Sequence, residues 1–186
     1  MYGGLGRHYH SIGHIVEGLD LLEVLRHDMP KWFADRADDA AIELAWWGHD
    51  LVYKAGAKDN EKQAAKLMGT FILDLGFRSD IGTRAKNYIR DTEHRCMARQ
   101  LGGKIVADID LAPLAYPWER FCADTADIRL EYAHMSDTQW REGRLGFLQK
   151  MLDTERRPSI YQTDYFSGRY EAAARLNLMR AMEALK

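Results

Sequence analysis

The apolar residues of this 186-residue chain recur at three- and four-residue intervals almost from end to end, and no stretch keeps strand-like alternation. That periodicity restricts the chain to helices packed on helices. From His8 to about His27, Ile12, Ile15, Val16, Leu19, Leu22 and Leu25 trace one stripe that Pro30 closes. A second helix, capped by Asp38 or Asp39, carries Ile42, Ala45, Trp46 and His49; Val52 to Asp59 then reads as a loop around Gly56. A third starts at Asp59 or Asn60, carries Ala64, Leu67, Met68, Phe71 and Leu75, and stops at Gly76. A fourth opens at Ser79 or Asp80, with Ile81, Ala85, Tyr88, Ile89, Thr92 and Cys96 on one side. Gly102-Gly103 reads as a break before a short helix or turn, Ile105 to Ala115. A sixth helix runs from Pro117 to about Met135, and a seventh starts at the capping box Ser136/Gln139 and ends near Pro158. The last, roughly Gly168 to Leu185, turns Ala172, Leu176, Met179 and Met182 inward. The expected fold is all-α, one domain over residues 1–186 with seven or eight helices, long enough to bury about two-thirds of its unfolded surface.

Charge and cysteine content narrow the partners. A formal charge of -2 with no accumulated basic block argues against a general nucleic-acid or anionic-membrane surface, while leaving a small anionic ligand open. Cys96 and Cys122 stand far apart without a Cys-x-x-Cys, so neither a disulfide framework nor a cysteine-rich zinc site is expected. The apolar run Ala40 to Trp47 is interrupted by Glu43 and far too short to span a bilayer, and the start lacks a signal-peptide pattern. A cytoplasmic protein follows from these points. Trp118, Tyr161, Tyr165 and Phe166 either cover the core or form a homodimer contact.

Chemistry concentrates in a few polar residues on apolar elements. His49 and Asp50 end an apolar helix, where an imidazole and a carboxylate are costly unless something binds them. Adjacent residues point about 100° apart on a helix, so the two share a centre only if the helix end or their rotamers converge them. On the first helix His10 and His14 are four apart, which places them one above the other on the same face, and Asp108 and Asp110 follow much later. Imidazoles with carboxylates suit a divalent ion such as Mn, Fe, Co, Ni or Zn better than Ca. No Ser sits in a Gly-x-Ser-x-Gly elbow, and Gly3-Gly4-Leu5-Gly6 lacks the spacing and the Lys of a phosphate loop. Trp46 and Trp47 read as core, and His8, His27 and His134 as structural or solvated.

The ordered blocks Arg7-His8-Tyr9-His10, His49-Asp50, Tyr53, Asn60-Glu61, Asp108-Ile109-Asp110-Leu111 and Ala174-Arg175-Leu176-Asn177-Leu178 resemble the HD superfamily of metal-dependent phosphohydrolases, closest to small bacterial and phage members. The resemblance covers nearly the whole chain. It implies an HD-type helical bundle in which His14, His49, Asp50 and Asp110 hold a divalent ion (Mn, Fe, Co, Ni, Zn or Mg), with Asp108 in a supporting or capping role. It implies a phosphorylated, nucleotide-type substrate. The Tyr9-His10-x-x-x-His14 block is also similar to that of cyclic-nucleotide phosphodiesterases, which implies that His10 protonates the leaving oxygen; Ser11 stands where that motif often has Asn. Glu61 would orient the attacking water or pair with a basic group. Arg7, Arg129, Arg144 and Arg175 either grip a phosphate or pair with a surface acid, Arg7 being favoured for the phosphate with Arg144 as a weaker second. His94 would either border the pocket, assist a second metal or merely be solvated. Two rivals remain: a catalytically silent module that binds a nucleotide or a protein, and a di-iron oxygenase, whose pattern interposes two histidines where this chain has only His94.

Overall fold

Tertiary contacts in the computed structural model group the chain into two compact units, one ending at Asp110 and one beginning at Leu111, and the structure describes residues 2–185. The chain is all-α: eight helices and no strand among the described residues. No helix is long and apolar enough to cross a membrane.

The first unit holds α1 (Ile12–Asp28), α2 (Arg36–Gly48), α3 (Asn60–Asp74), α4 (Ser79–Asp91) and α5 (Leu101–Leu111) up to Asp110. α4 lies against both α2 and α3, and α1 against α2. Their shared interior contains Ile15, Leu22, Ile42, Trp46, Ile72, Ile89, Ile105 and Ile109, all fully or almost fully buried. Gly18 is what lets α1 close on α2: a Cβ there would sit 1.9 Å from Cζ2 of Trp46. The indole fills that notch, and its Nε1–H donates to the carbonyl of Ile15 at 2.8 Å, so the buried N–H is satisfied. Arg26 ties the same two helices from outside, donating to Asp39 at 2.6 Å and Glu43 at 2.7 Å. Arg84 joins α4 to the start of α2 through Asp35 and Asp38.

Several boundaries differ from the expected ones, each for a local reason. α1 begins at Ile12, so His8 to Ser11 form turns and His10 does not lie on the helix above His14. Asp35, not Asp38 or Asp39, caps α2 by accepting from the amide of Ala37 at 3.0 Å. α4 ends at Asp91, which leaves Cys96 exposed beyond it. Gly102 and Gly103 lie inside α5 rather than breaking it: a Cβ on Gly102 would meet the Tyr88 ring at 2.6 Å and one on Gly103 the Asp91 carboxylate at 2.0 Å. Their missing side chains serve helix packing, which offsets the weak helix propensity of glycine. Ile12, Val16 and Trp47 are substantially exposed, contrary to the core roles their stripe suggests.

The second unit holds α6 (Trp118–Glu131), α7 (Asp137–Leu152) and α8 (Asp164–Ala184), with a 3-10 turn over Ala112–Ala115 packed on α8. The expected box at Ser136 and Gln139 caps α7. α8 starts four residues earlier than its pattern suggests because Thr163 caps it, accepting from the amide of Phe166. The buried face is therefore Tyr165, Phe166, Ala174, Asn177 and Leu178, while Ala172 and Met179 face outward. Tyr161, Tyr165 and Phe166 are core residues, with Tyr161 donating its hydroxyl to the carbonyl of Leu111. Asn177 of the C-terminal motif holds the carbonyls of Leu114 and Tyr116, a structural duty within this unit.

Candidate metal centre

α2 ends where chemistry begins. His49 is the first residue past the last helical turn, and Leu51 closes a turn by donating to the carbonyl of Gly48. That turn removes the 100° divergence of two helical neighbours: His49 Nε2 and Asp50 Oδ2 lie 3.1 Å apart. His49 Nδ1 contacts the carbonyl of Trp46 at 2.8 Å, and because a carbonyl only accepts, Nδ1 must carry the proton. Nε2 of the neutral ring is then a bare lone pair aimed at the cluster.

His14, on the first turn of α1, and Asp110, at the end of α5, complete the group. His14 Nε2 is 3.4 Å from Asp110 Oδ1 and 4.0 Å from Asp50 Oδ2, and His49 Nε2 is 3.6 Å from Asp110 Oδ1. Four donors at about 2.1 Å from one ion would stand roughly 3.4 Å from each other in a tetrahedron; the 3.1, 3.4 and 3.6 Å spacings lie near that value and the 4.0 Å spacing of His14 and Asp50 is longer. His14, His49 and Asp50 alone already form a three-donor group. Nε2 of His14, Nε2 of His49 and Oδ2 of Asp50 are buried without a hydrogen-bond partner, and lone pairs facing lone pairs repel unless a cation separates them. The residues therefore fit a borderline divalent metal. Trp46 forms the floor beneath it, its ring stacked on His49 at 4.4 Å and tilted against His14 at 5.0 Å.

Without a metal, a proton takes over the cation's task. Burial alone would push His49 down, but the carboxylates of Asp50 and Asp110 override it and hold its pKa well above the ordinary imidazole value. Burial likewise opposes ionisation of Asp50 and Asp110, and the histidines around them keep both below the usual carboxylate range. The signs fix a pH window for chelator-treated protein. A raised imidazole contributes fully below about pH 6.5 and less as pH climbs through its folded value, and lowered carboxylates contribute above about pH 4 and less on acidification. Thermal stability is expected to hold between those limits and decline on the alkaline side. A metal-free melting temperature that rose steadily from neutral pH upward would contradict the assignment.

The remaining predicted residues surround this group. His10 stacks on Tyr53 at 4.0 Å, its ring 6.3 Å from that of His14, so a turn rather than helical spacing brings it to the rim. Arg7 donates from Nη1 to the carbonyls of His10 and Asp50, at 3.0 and 2.7 Å, and from Nη2 to Leu51 at 3.1 Å. Three of its five donors thus staple the His10 turn to the Asp50 turn, a task the expected phosphate grip did not anticipate. Glu61 lies in the first turn of α3, and burial, then Glu93, Asp110 and Asp50, raise its carboxyl pKa. Asn60 beside it clamps the amide and carbonyl of Lys54, fixing the loop that carries Tyr53.

Asp108 is fully buried two positions before Asp110, about 200° around the helix, so it does not share that residue's direction. Arg144 belongs to the second unit, bonded to Thr125 and lying over Phe121 and Phe147. His94 joins the centre instead, with Nε2 2.7 Å from Asp110 Oδ2. Helical periodicity could not have placed it, since it stands in the turn after α4. Compared with known proteins, the chain matches no family model, no curated protein and no solved structure.

Proposed function

We propose that the chain is an HD-type metal-dependent phosphohydrolase acting on a nucleotide-type phosphoester or phosphoanhydride. The carrying observation is the set of three buried, hydrogen-bond-orphaned donor atoms on His14, His49 and Asp50; Asp110, whose Oδ1 approaches both imidazoles, is the proposed fourth donor. A divalent ion held there supplies Lewis acidity to a phosphoryl oxygen and eases deprotonation of water near neutral pH. His10, at the rim and braced by Tyr53, hands a proton to the departing oxygen. Glu61, whose carboxyl is already biased toward taking up a proton, receives one from the attacking water. Arg7 holds the two turns at the spacing these transfers need. Cys96 and Cys122, both free and exposed and far apart in sequence, fit a reducing cytoplasm.

The test is a reconstitution panel. Protein loaded with Mn, Co, Ni, Zn, Fe or Mg is expected to release phosphate or nucleoside from at least one nucleotide, and His10→Ala is expected to cut turnover by about 10²- to 10⁴-fold without loss of metal. Bound metal with no turnover on any nucleotide, with a nucleotide retained intact, would instead identify a silent binding module. Arg7 is the observation on that side, since much of its donor capacity goes to the backbone.

A further inference from the structure

His94 is, among the described residues, the one non-glycine with a positive φ, +50°. A side chain in that left-handed region is strained, and such strain persists only where the surroundings enforce it. Here the turn after α4 enforces it: the amide of His94 donates to the carbonyl of Asp91, and the missing Cβ of Gly103 lets the Asp91 side chain lie flush on α5, the helix that carries Asp110. The result is a short contact, 2.7 Å, between His94 Nε2 and Asp110 Oδ2. The other oxygen of the same carboxylate, Oδ1, is the one that approaches His14 at 3.4 Å and His49 at 3.6 Å. One oxygen is anchored and the other is aimed.

We infer that His94 is a positioning residue, whose Nε2–H holds Oδ2 of Asp110 so that Oδ1 alone is presented to the cation position between His14, His49 and Asp50. This rests on the metal centre proposed above. A carboxylate free to rotate would offer its two oxygens in competing orientations, and removing a partner that orients a metal-binding side chain typically weakens metal binding about 10- to 100-fold. The backbone strain is then a cost of placing an imidazole at a point no helix reaches.

The experiment is calorimetric titration of the chelator-stripped full chain with Co²⁺ alone, with the visible spectrum of the bound ion as a second readout. His94→Gly removes the imidazole and relieves the backbone, so it separates the two roles: Co²⁺ affinity is expected to fall about 10- to 100-fold while the melting temperature of the metal-free protein stays level or rises. His94→Gln, which keeps an N–H near the same point, is expected to recover most of the affinity despite its strained backbone. Both variants should still bind one Co²⁺ with an altered spectrum in the glycine case. His94→Gly binding Co²⁺ within about twofold of wild type overturns the inference, as does a wild type that binds two Co²⁺ and a variant that binds one, since His94 would then be a ligand itself. Wild-type protein that binds no Co²⁺ removes the metal centre and the inference together, and is told apart from those results by the wild-type titration alone.

Discussion

Asp50→Ala is expected to abolish divalent-ion binding at the proposed centre. Asp50 Oδ2 sits 3.1 Å from one imidazole nitrogen and 4.0 Å from the other, and it is the only carboxylate in the three-donor group. Its removal leaves two imidazoles and Asp110, with one fewer negative charge to offset a dication. A structural four-ligand ion is held by about 10–16 kcal/mol, so the loss of one anionic ligand is expected to cost on the order of 10²- to 10³-fold in affinity. Metal content after dialysis, read by elemental analysis, is the measurement. The helices should survive, because Asp50 follows α2 in a turn whose Arg7 contact goes to its backbone carbonyl, which alanine retains. Far-ultraviolet circular dichroism close to wild type beside lost metal is the expected pair of results. Asp50→Asn keeps the shape without the charge and should fall between the two. An Asp50→Ala protein that dialyses with one equivalent of ion would sink the four-donor assignment.

How much of this centre could be read from the chain depends on which force places each residue. His49-Asp50 stands out in the sequence because an apolar helix ending in two polar residues carries a desolvation cost, and the structure brings the two side chains together at the α2 terminus with His49 Nε2 and Asp50 Oδ2 still unpartnered. His14 was legible for the same reason, being buried on an otherwise apolar face of α1. His10 reached the right neighbourhood through the wrong geometry: its spacing from His14 implied one helix face, whereas a turn stapled by Arg7 brings it there. Gly102-Gly103 reads as a break because glycine is a poor helix former, and only the partner surfaces of Tyr88 and Asp91 reveal why two of them sit inside α5. The inward face of α8 was misplaced because its start is set by the Thr163 cap rather than by the apolar stripe. For His94 the sequence offers site membership only as one of several alternatives, and for a general reason. Its position follows from a left-handed turn and a close helix approach, both tertiary, and residue spacing carries no trace of either.

Trp46→Ala is expected to be the most destabilising single change in the first unit, and its interpretation turns on Gly18. The indole is fully buried, bonds the carbonyl of Ile15, and lies under both imidazoles of the centre. Truncation of a buried large aromatic costs about 3–5 kcal/mol, with roughly 1 kcal/mol more for the stranded carbonyl. Urea denaturation of chelated protein measures this free of metal linkage. Gly18→Ala attacks the same seam from the other side: a methyl placed 1.9 Å from Cζ2 of Trp46 cannot fit unless α1 and α2 separate, which is expected to cost about 1–3 kcal/mol. The two effects must be coupled if one notch serves one ring. Trp46→Phe shrinks the ring where the methyl would enter, so adding Gly18→Ala in that background should cost clearly less than in wild type, a coupling of about 0.5–3 kcal/mol between contacting sites. Equal penalties in the two backgrounds would mean that Gly18 is required for some reason other than the indole. The floor of the metal centre would then owe its position to something besides the approach of α1 to α2.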